Sequence, residues 1–253
     1  MKISLKEIKE REGYASGYHF LKGTKFFEVP RYWFIWLFLN IGFNANMVTT
    51  TFGVLGIIGL FFIAMGNYWL VILGSGFMTF AVFLDEVDGA VARISKKTSN
   101  FGMYLDGVFH WIHFTFLWIA LGIGIWNIQG EINYFYLGLI TSSIWILNSE
   151  TKNILYKSFF YTPEEIKKII TETKSNYEGR TFTDKIGKFG ILKYNSFRVL
   201  KLNASLYILI ALAIFGYEKY FLFFYSVMLP IFYIRTIYMI FEISRKIRRF
   251  KER

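Results

Sequence analysis

The chain has 253 residues, of which 54 % are hydrophobic and 21 % aromatic, and its formal net charge is +11. Together with a positive mean hydropathy, this composition excludes an ordinary soluble domain and a soluble nucleic-acid binder; the basic excess fits loops of a membrane protein facing anionic lipid. Cysteine is absent, which excludes disulfides, thiol catalysis and zinc–thiolate sites.

Residues 1–30 are polar and lack the apolar core of a signal peptide, so the N-terminus is expected to stay in the cytoplasm. The run Tyr32–Phe43 is apolar, rich in Trp and Phe, and too short to span a bilayer. With Arg31 just before it and Asn40, Asn44 and Asn46 interrupting its join to the next run, it predicts an interfacial helix. Six spanning helices are then expected. The first is Met47–Gly66, where Gly53, Gly56 and Gly59 form a small-residue stripe that lets a neighbour approach closely. The second runs from Tyr68, stays apolar to Leu84, and carries Asp85, Glu86 and Asp88 before ending near Arg93. The third runs from about Phe101 to Trp126 and carries Asp106. The fourth is about Ile132–Leu147, the fifth about Asn203–Tyr217, and the sixth about Tyr220–Phe241, with Pro230 as an expected kink and Arg235 as a charge within the helix.

The fold class is therefore all-α: a polytopic membrane protein of six transmembrane helices plus an N-terminal interfacial helix. Residues 1–43 form a cytoplasmic segment, 44–243 the membrane domain with a cytoplasmic loop at about 149–201, and 244–253 a basic cytoplasmic tail. Within that loop, Thr162 followed by Pro163-Glu164-Glu165 reads as a helix start. Placing both termini inside puts 27 of the 29 Lys and Arg residues on the cytoplasmic side, as the positive-inside rule requires. The chain's lack of cysteine makes this easy to test. A single Cys at Ser175 should be labelled only from the cytoplasmic side; labelling from outside would overturn the six-helix topology.

Three carboxylates at the inner ends of two predicted helices carry the chemistry. Asp85 and Asp88, three residues apart, share a helix face, and a short polar turn brings the next helix, with Asp106, back beside them. Clustered acids at membrane depth repel one another unless a cation compensates them. Hard oxygen ligands suit Mg²⁺ or Mn²⁺, which in turn bind phosphates. Gly89 and Gly102 have no side chains, so a ligand can approach both helix backbones. Ala92 keeps that face shallow, and Arg93 can pair with a carboxylate or a phosphate.

The full spacing is Asp85-x2-Asp88-Gly89-x2-Ala92-Arg93-x8-Gly102-x3-Asp106-x3-His110. It resembles the signature of the CDP-alcohol phosphotransferase family, which has a fourth aspartate where this chain has His110. Upstream, Asn46-Met47-Val48-Thr49 resembles the family's Pro-Asn-x-x-Thr entry to the first helix, with Ala45 in place of proline. The resemblance spans roughly residues 44–243. It implies a six-helix dimeric membrane transferase, working in phospholipid or related lipid biosynthesis, that holds two divalent ions on its aspartates. It further implies binding of a CDP-linked donor, here by Asn46, Thr49, Gly89, Ala92, Arg93 and Gly102. An acceptor hydroxyl would then attack the phosphorus bearing the alcohol, with release of CMP at the cytoplasmic face.

His110 lies one turn after Asp106 and on the same face, and three roles are open to it. As a general base, a neutral imidazole suits proton removal at neutral pH. As a metal ligand beside Asp85, Asp88 and Asp106, it would shift preference from Mg²⁺ towards Mn²⁺ or Zn²⁺. As an inactivating change, it would leave a nucleotide-binding protein without turnover. His113, three residues on, also lies near this face; it reads first as a polar residue satisfied inside the bundle, with a functional role as the alternative. An ion-coupled transporter is the rival class, but carriers place such charges near the midplane and show repeated halves, and no repeat is visible here. For the acceptor, Arg235 and Arg198 are candidate anion-binding residues, with Lys157 and Lys201 beside them; the loop rule alone also accounts for the last three.

Overall fold

The computed structural model describes residues 3–13, 25–159 and 202–251. The helix start expected at Thr162 lies outside the described residues. Every regular element among those described is an α-helix: α1 Leu5–Gly13, α2 Lys25–Asn40, α3 Ala45–Met65, α4 Tyr68–Ser95, α5 Asn100–Gln129, α6 Asn133–Phe159, α7 Leu202–Ile214 and α8 Glu218–Lys251. Four helical stretches are long and apolar enough to cross a membrane, namely Ala45–Met65, Tyr68–Ser95, Asn100–Gln129 and Glu218–Tyr238. That is the signature of an integral membrane protein.

Local chemistry fixes the helix ends. The Asn44 side chain accepts from the Met47 N–H at 2.9 Å and starts α3; Asn67 does the same for Trp69 in α4, and Ser99 for Gly102 in α5. Each satisfies a donor that the first helical turn leaves open. Gly66 and Gly130 end α3 and α5 in the left-handed region, where a residue without Cβ is least strained. Lys96 adopts the same conformation after α4, so only four residues, Lys96 to Ser99, separate α4 from α5.

The remaining expected spans differ in detail. The helix expected at 132–147 continues to Phe159, so residues 149–159, expected as loop, extend it. The middle of α6, with Thr141, Ser142, Ser143, Asn148, Ser149 and Glu150, is too polar for it to count with the four. α7 has 13 described residues, about 20 Å of helix at 1.5 Å per residue, short of the ~30 Å hydrocarbon core. α8 runs through Pro230 and on to Lys251, so most of the expected basic tail is helical. Lys and Arg are good helix formers, and no breaker follows Pro230 to stop it.

The chain divides into two compact units. The first comprises residues 1–142 and 202–226. Here α3 is the central element, packed along both α4 and α5, whereas α4 and α5 touch each other only sparsely. The expected glycine stripe accounts for this arrangement. Gly59 meets Gly74 of α4, where a Cβ on either would press into the other's carbonyl at 2.5–2.8 Å; Gly53 and Gly56 instead accommodate Phe109 and His113 of α5. One stripe thus serves two neighbours, through backbone approach rather than large side chains. α2 is expected on the membrane surface. It packs on α4, with Phe34 edge-on to Phe80 and Phe83 at 5.5 and 5.4 Å, and it buries Ile35 and Phe38. Asn40 then ties α2 to the N-terminal segment by exchanging two 3.2 Å hydrogen bonds with Ile3. In the second unit, residues 143–201 and 227–253, the buried Thr236 hydroxyl donates to Asn148 Oδ1 at 2.9 Å and so links α8 to α6.

Candidate active site

Asp85 and Asp88 lie on α4, one turn apart near its C-terminal end, and Asp106 and His110 lie one turn apart near the start of α5. The two pairs meet. His110 Nδ1 is 3.1 Å from Asp106 Oδ1, and its Nε2 is 3.6 Å from Asp85 Oδ2. One ligand atom from each of Asp85, Asp106 and His110 lies within 4.8 Å of the others. Asp106 Oδ1 is sealed from solvent yet receives no well-aligned hydrogen bond. An anionic oxygen left in that state is costly. A donor set of two carboxylates and one imidazole suits a divalent cation, so these residues fit the metal that the spacing implies.

Asp88 is held differently. It is buried, and the Thr49 hydroxyl lies 2.6 Å from its Oδ2. Thr49 Oγ1 is also 3.0 Å from the Ala45 carbonyl. A hydroxyl has one proton, and the shorter contact to a charged acceptor is the stronger claim on it. Thr49 therefore orients Asp88 from α3. Glu86, the remaining acid of α4, interacts electrostatically with Arg31 of α2.

The residues expected to face the nucleotide fall on the same end of the bundle. Arg93 Nη1 lies over Gly89, 3.2 Å from where a β-carbon would stand. Gly102 is filled from another side: Asn46 Oδ1 occupies the space of its missing side chain, 2.5 Å from the ideal Cβ position, and accepts from Ser99 Oγ at 3.2 Å. The missing side chain at Gly102 thus serves to seat Asn46 on the first turn of α5. Ala92 is partly buried against the cluster formed by α1–α4.

Two residues escaped the sequence reading. Phe52 sets its ring edge-on to His110 at 5.9 Å, as well as to Phe109 and His113 at 5.8 Å. Ser99 links Asn46 to α5. Phe52 stands three residues after Thr49, on the same face of α3, and that spacing is the signal available in the sequence. Arg235 lies half-buried on α8 in the second unit. Arg198 and Lys201 lie outside the described residues, as does the side chain of Lys157.

Comparison with known proteins adds one finding. No curated protein matches the chain. Residues 43–163 do match the model of a family described as CDP-alcohol phosphatidyltransferase, and that stretch contains Asp85, Asp88, Asp106, His110 and the Thr49 that orients Asp88. Residues 43–163 thus carry a CDP-alcohol phosphatidyltransferase domain, similar to those of a family of membrane transferases of lipid biosynthesis that use divalent metal ions.

Proposed function

We propose that the protein transfers a substituted phosphate group from a CDP-linked donor, CDP-diacylglycerol or a small CDP-alcohol, to an acceptor hydroxyl, with CMP as the leaving group. It acts as a homodimer in the membrane, with the site at the cytoplasmic face. The observation that carries this reading is the convergence of Asp85, Asp106 and His110 from two helices, inside the matched stretch and beside an Asp88 oriented by Thr49.

Asp85, Asp88 and Asp106 are the residues that would hold Mg²⁺ or Mn²⁺. When bound, such ions neutralise charge on the donor's phosphates and polarise the phosphorus under attack. The chain's own residues supply the rest. Arg93, laid across Gly89, offers a guanidinium to the donor phosphates. Asp106 lies within hydrogen-bonding reach of His110 Nδ1. With the proton on Nδ1, the lone pair of Nε2 points to the Asp85 side, where no hydrogen bond claims it at 3.6 Å. That tautomer makes Nε2 the base for the acceptor hydroxyl. The acceptor oxygen bonds to phosphorus, the bond from that phosphorus to the CMP oxygen breaks, and His110 carries away the proton.

Incubating the purified protein with radiolabelled CDP-diacylglycerol and a panel of alcohols, with Mg²⁺ or Mn²⁺, tests the reading. Metal-dependent CMP release that requires one of the alcohols is expected. Donor binding without CMP release from any donor–acceptor pair would instead favour a nucleotide-binding protein inactivated at His110. Substrate flux across vesicles that persists in chelator would favour a transporter.

Arg235 is proposed to hold an anionic group of the acceptor, because no loop rule accounts for a guanidinium within a spanning helix. Arg235→Ala should then raise the KM for an anionic acceptor about tenfold or more, while the KM for the CDP donor changes little. An unchanged acceptor KM with a lower unfolding temperature would make the residue structural.

A further inference from the structure

We infer that His113 is a positioning residue for the active site: its hydrogen bond to α3 fixes the rotation of α5 and thereby sets where Asp106 and His110 stand relative to Asp85. The inference rests on the metal-site reading above. It starts from the sparseness of direct packing between α4 and α5, both of which lie instead along α3. The two halves of the site are therefore aligned through a third helix.

Each half has its own attachment. On the α4 side, Gly59 and Gly74 bring the two backbones together, and Thr49 holds Asp88. On the α5 side, His113 is 2 % exposed, and its Nε2 lies 3.0 Å from the Gly53 carbonyl oxygen. A carbonyl only accepts, so Nε2 carries the proton and donates. The ring is set into a notch. A β-carbon at Gly56 would overlap it, and one at Gly53 would overlap the ring of Phe109, which stacks on His113 at 6.2 Å and 26°. Phe52 closes the group by touching both His113 and His110.

His113 stands three residues after His110 and seven after Asp106, so all three share one face of α5. A rotation of α5 that moved either site residue would carry His113 out of its notch and break its bond to Gly53. Hydrogen bond and steric fit together leave α5 one orientation. Side chains that orient metal ligands from behind in this way typically matter 10- to 100-fold to metal affinity or activity.

The test measures Mn²⁺ binding directly, from the electron paramagnetic resonance of the free ion, on the full chain in detergent, alongside CMP release. Gel filtration and thermal unfolding report the fold. His113→Leu removes the donor without needing more room, and should weaken Mn²⁺ binding roughly 10- to 100-fold. His113→Gln, whose amide N–H can reach the Gly53 carbonyl, should bring binding back to within a few-fold of wild type. If the Leu variant does not fold, His113→Asn, polar but too short to reach Gly53, makes the same comparison and should show the same loss. Mn²⁺ binding by His113→Leu equal to wild type overturns the inference alone, as does an equal deficit in the Leu and Gln variants, since the hydrogen bond would then not matter. Absence of Mn²⁺ binding by the wild type overturns the metal-site reading and this inference with it.

Discussion

Replacing Asp85, Asp88 or Asp106 singly by Asn is expected to lower metal-dependent CMP release by about 100-fold or more. Each change keeps the shape of the side chain and removes one anionic oxygen from the group that faces the cation. Charge stabilisation by such an ion is worth several kcal/mol in the transition state, and each 1.36 kcal/mol is tenfold in rate. The structure separates the three. Asp85 and Asp106 converge with His110, so their loss should also raise the metal concentration needed for half-maximal activity. Asp88 is buried and bonded to Thr49. In Asp88→Asn the amide oxygen can still accept that bond, and a charge leaves a cluster of like charges, so the unfolding temperature measured without metal should hold or rise. Near-normal turnover in all three variants would make the acids structural and end the enzyme reading. A milder companion is Thr49→Val. It leaves Asp88 buried without its hydroxyl donor, a loss of about 1–3 kcal/mol where a charged group is involved, and should cost roughly tenfold or more in turnover while the metal optimum changes less.

His110→Ala should remove most turnover and leave binding of the CDP donor nearly intact, because the surface around Gly89, Ala92 and Arg93 is unaltered. General-base catalysis typically contributes 10²- to 10⁴-fold, and a loss of about that size is expected. The base must be unprotonated to act, so wild-type turnover should rise with pH as the imidazole gives up its proton, and that limb should vanish in the Ala variant. Full activity with the wild-type pH profile would rule out His110 as the base. Mn²⁺ binding separates the remaining roles. A ligand lost with the side chain would weaken binding in step with turnover, whereas a base lost would leave binding nearly unchanged. His110→Asp restores the residue that the family signature carries. A carboxylate can take the proton and also add negative charge to the site, so this variant should keep or raise activity and hold its metal more tightly. CMP release by His110→Asp from a wild-type protein that binds donor yet never releases CMP would identify His110 as an inactivating change.

The sequence by itself determined the broad class and which acidic residues could share a site. Apolar runs near bilayer length are local features, and helix formation in such a run is decided locally because every backbone group must be satisfied within the segment. The acids were legible for the same reason: periodicity places Asp85 with Asp88, and Asp106 with His110, without knowledge of any other helix. Helix lengths were less legible where composition grades from apolar to charged, as at the ends of α6 and α8, since Lys and Arg continue a helix as readily as they end one. Only the tertiary structure decided what joins the two halves of the site. The short turn from Lys96 to Ser99 suggests that α4 and α5 pack on each other, yet α3 is the element both pack along. That arrangement depends on Gly53, Gly56 and Gly59 admitting two different neighbours, on Thr49 reaching Asp88 across 39 residues, and on His113 reaching the Gly53 carbonyl across 60. Such pairings are choices between distant segments of similar apolarity. In a membrane no difference in hydrophobicity ranks them, and only the fit of small residues and the reach of a few hydrogen bonds select one.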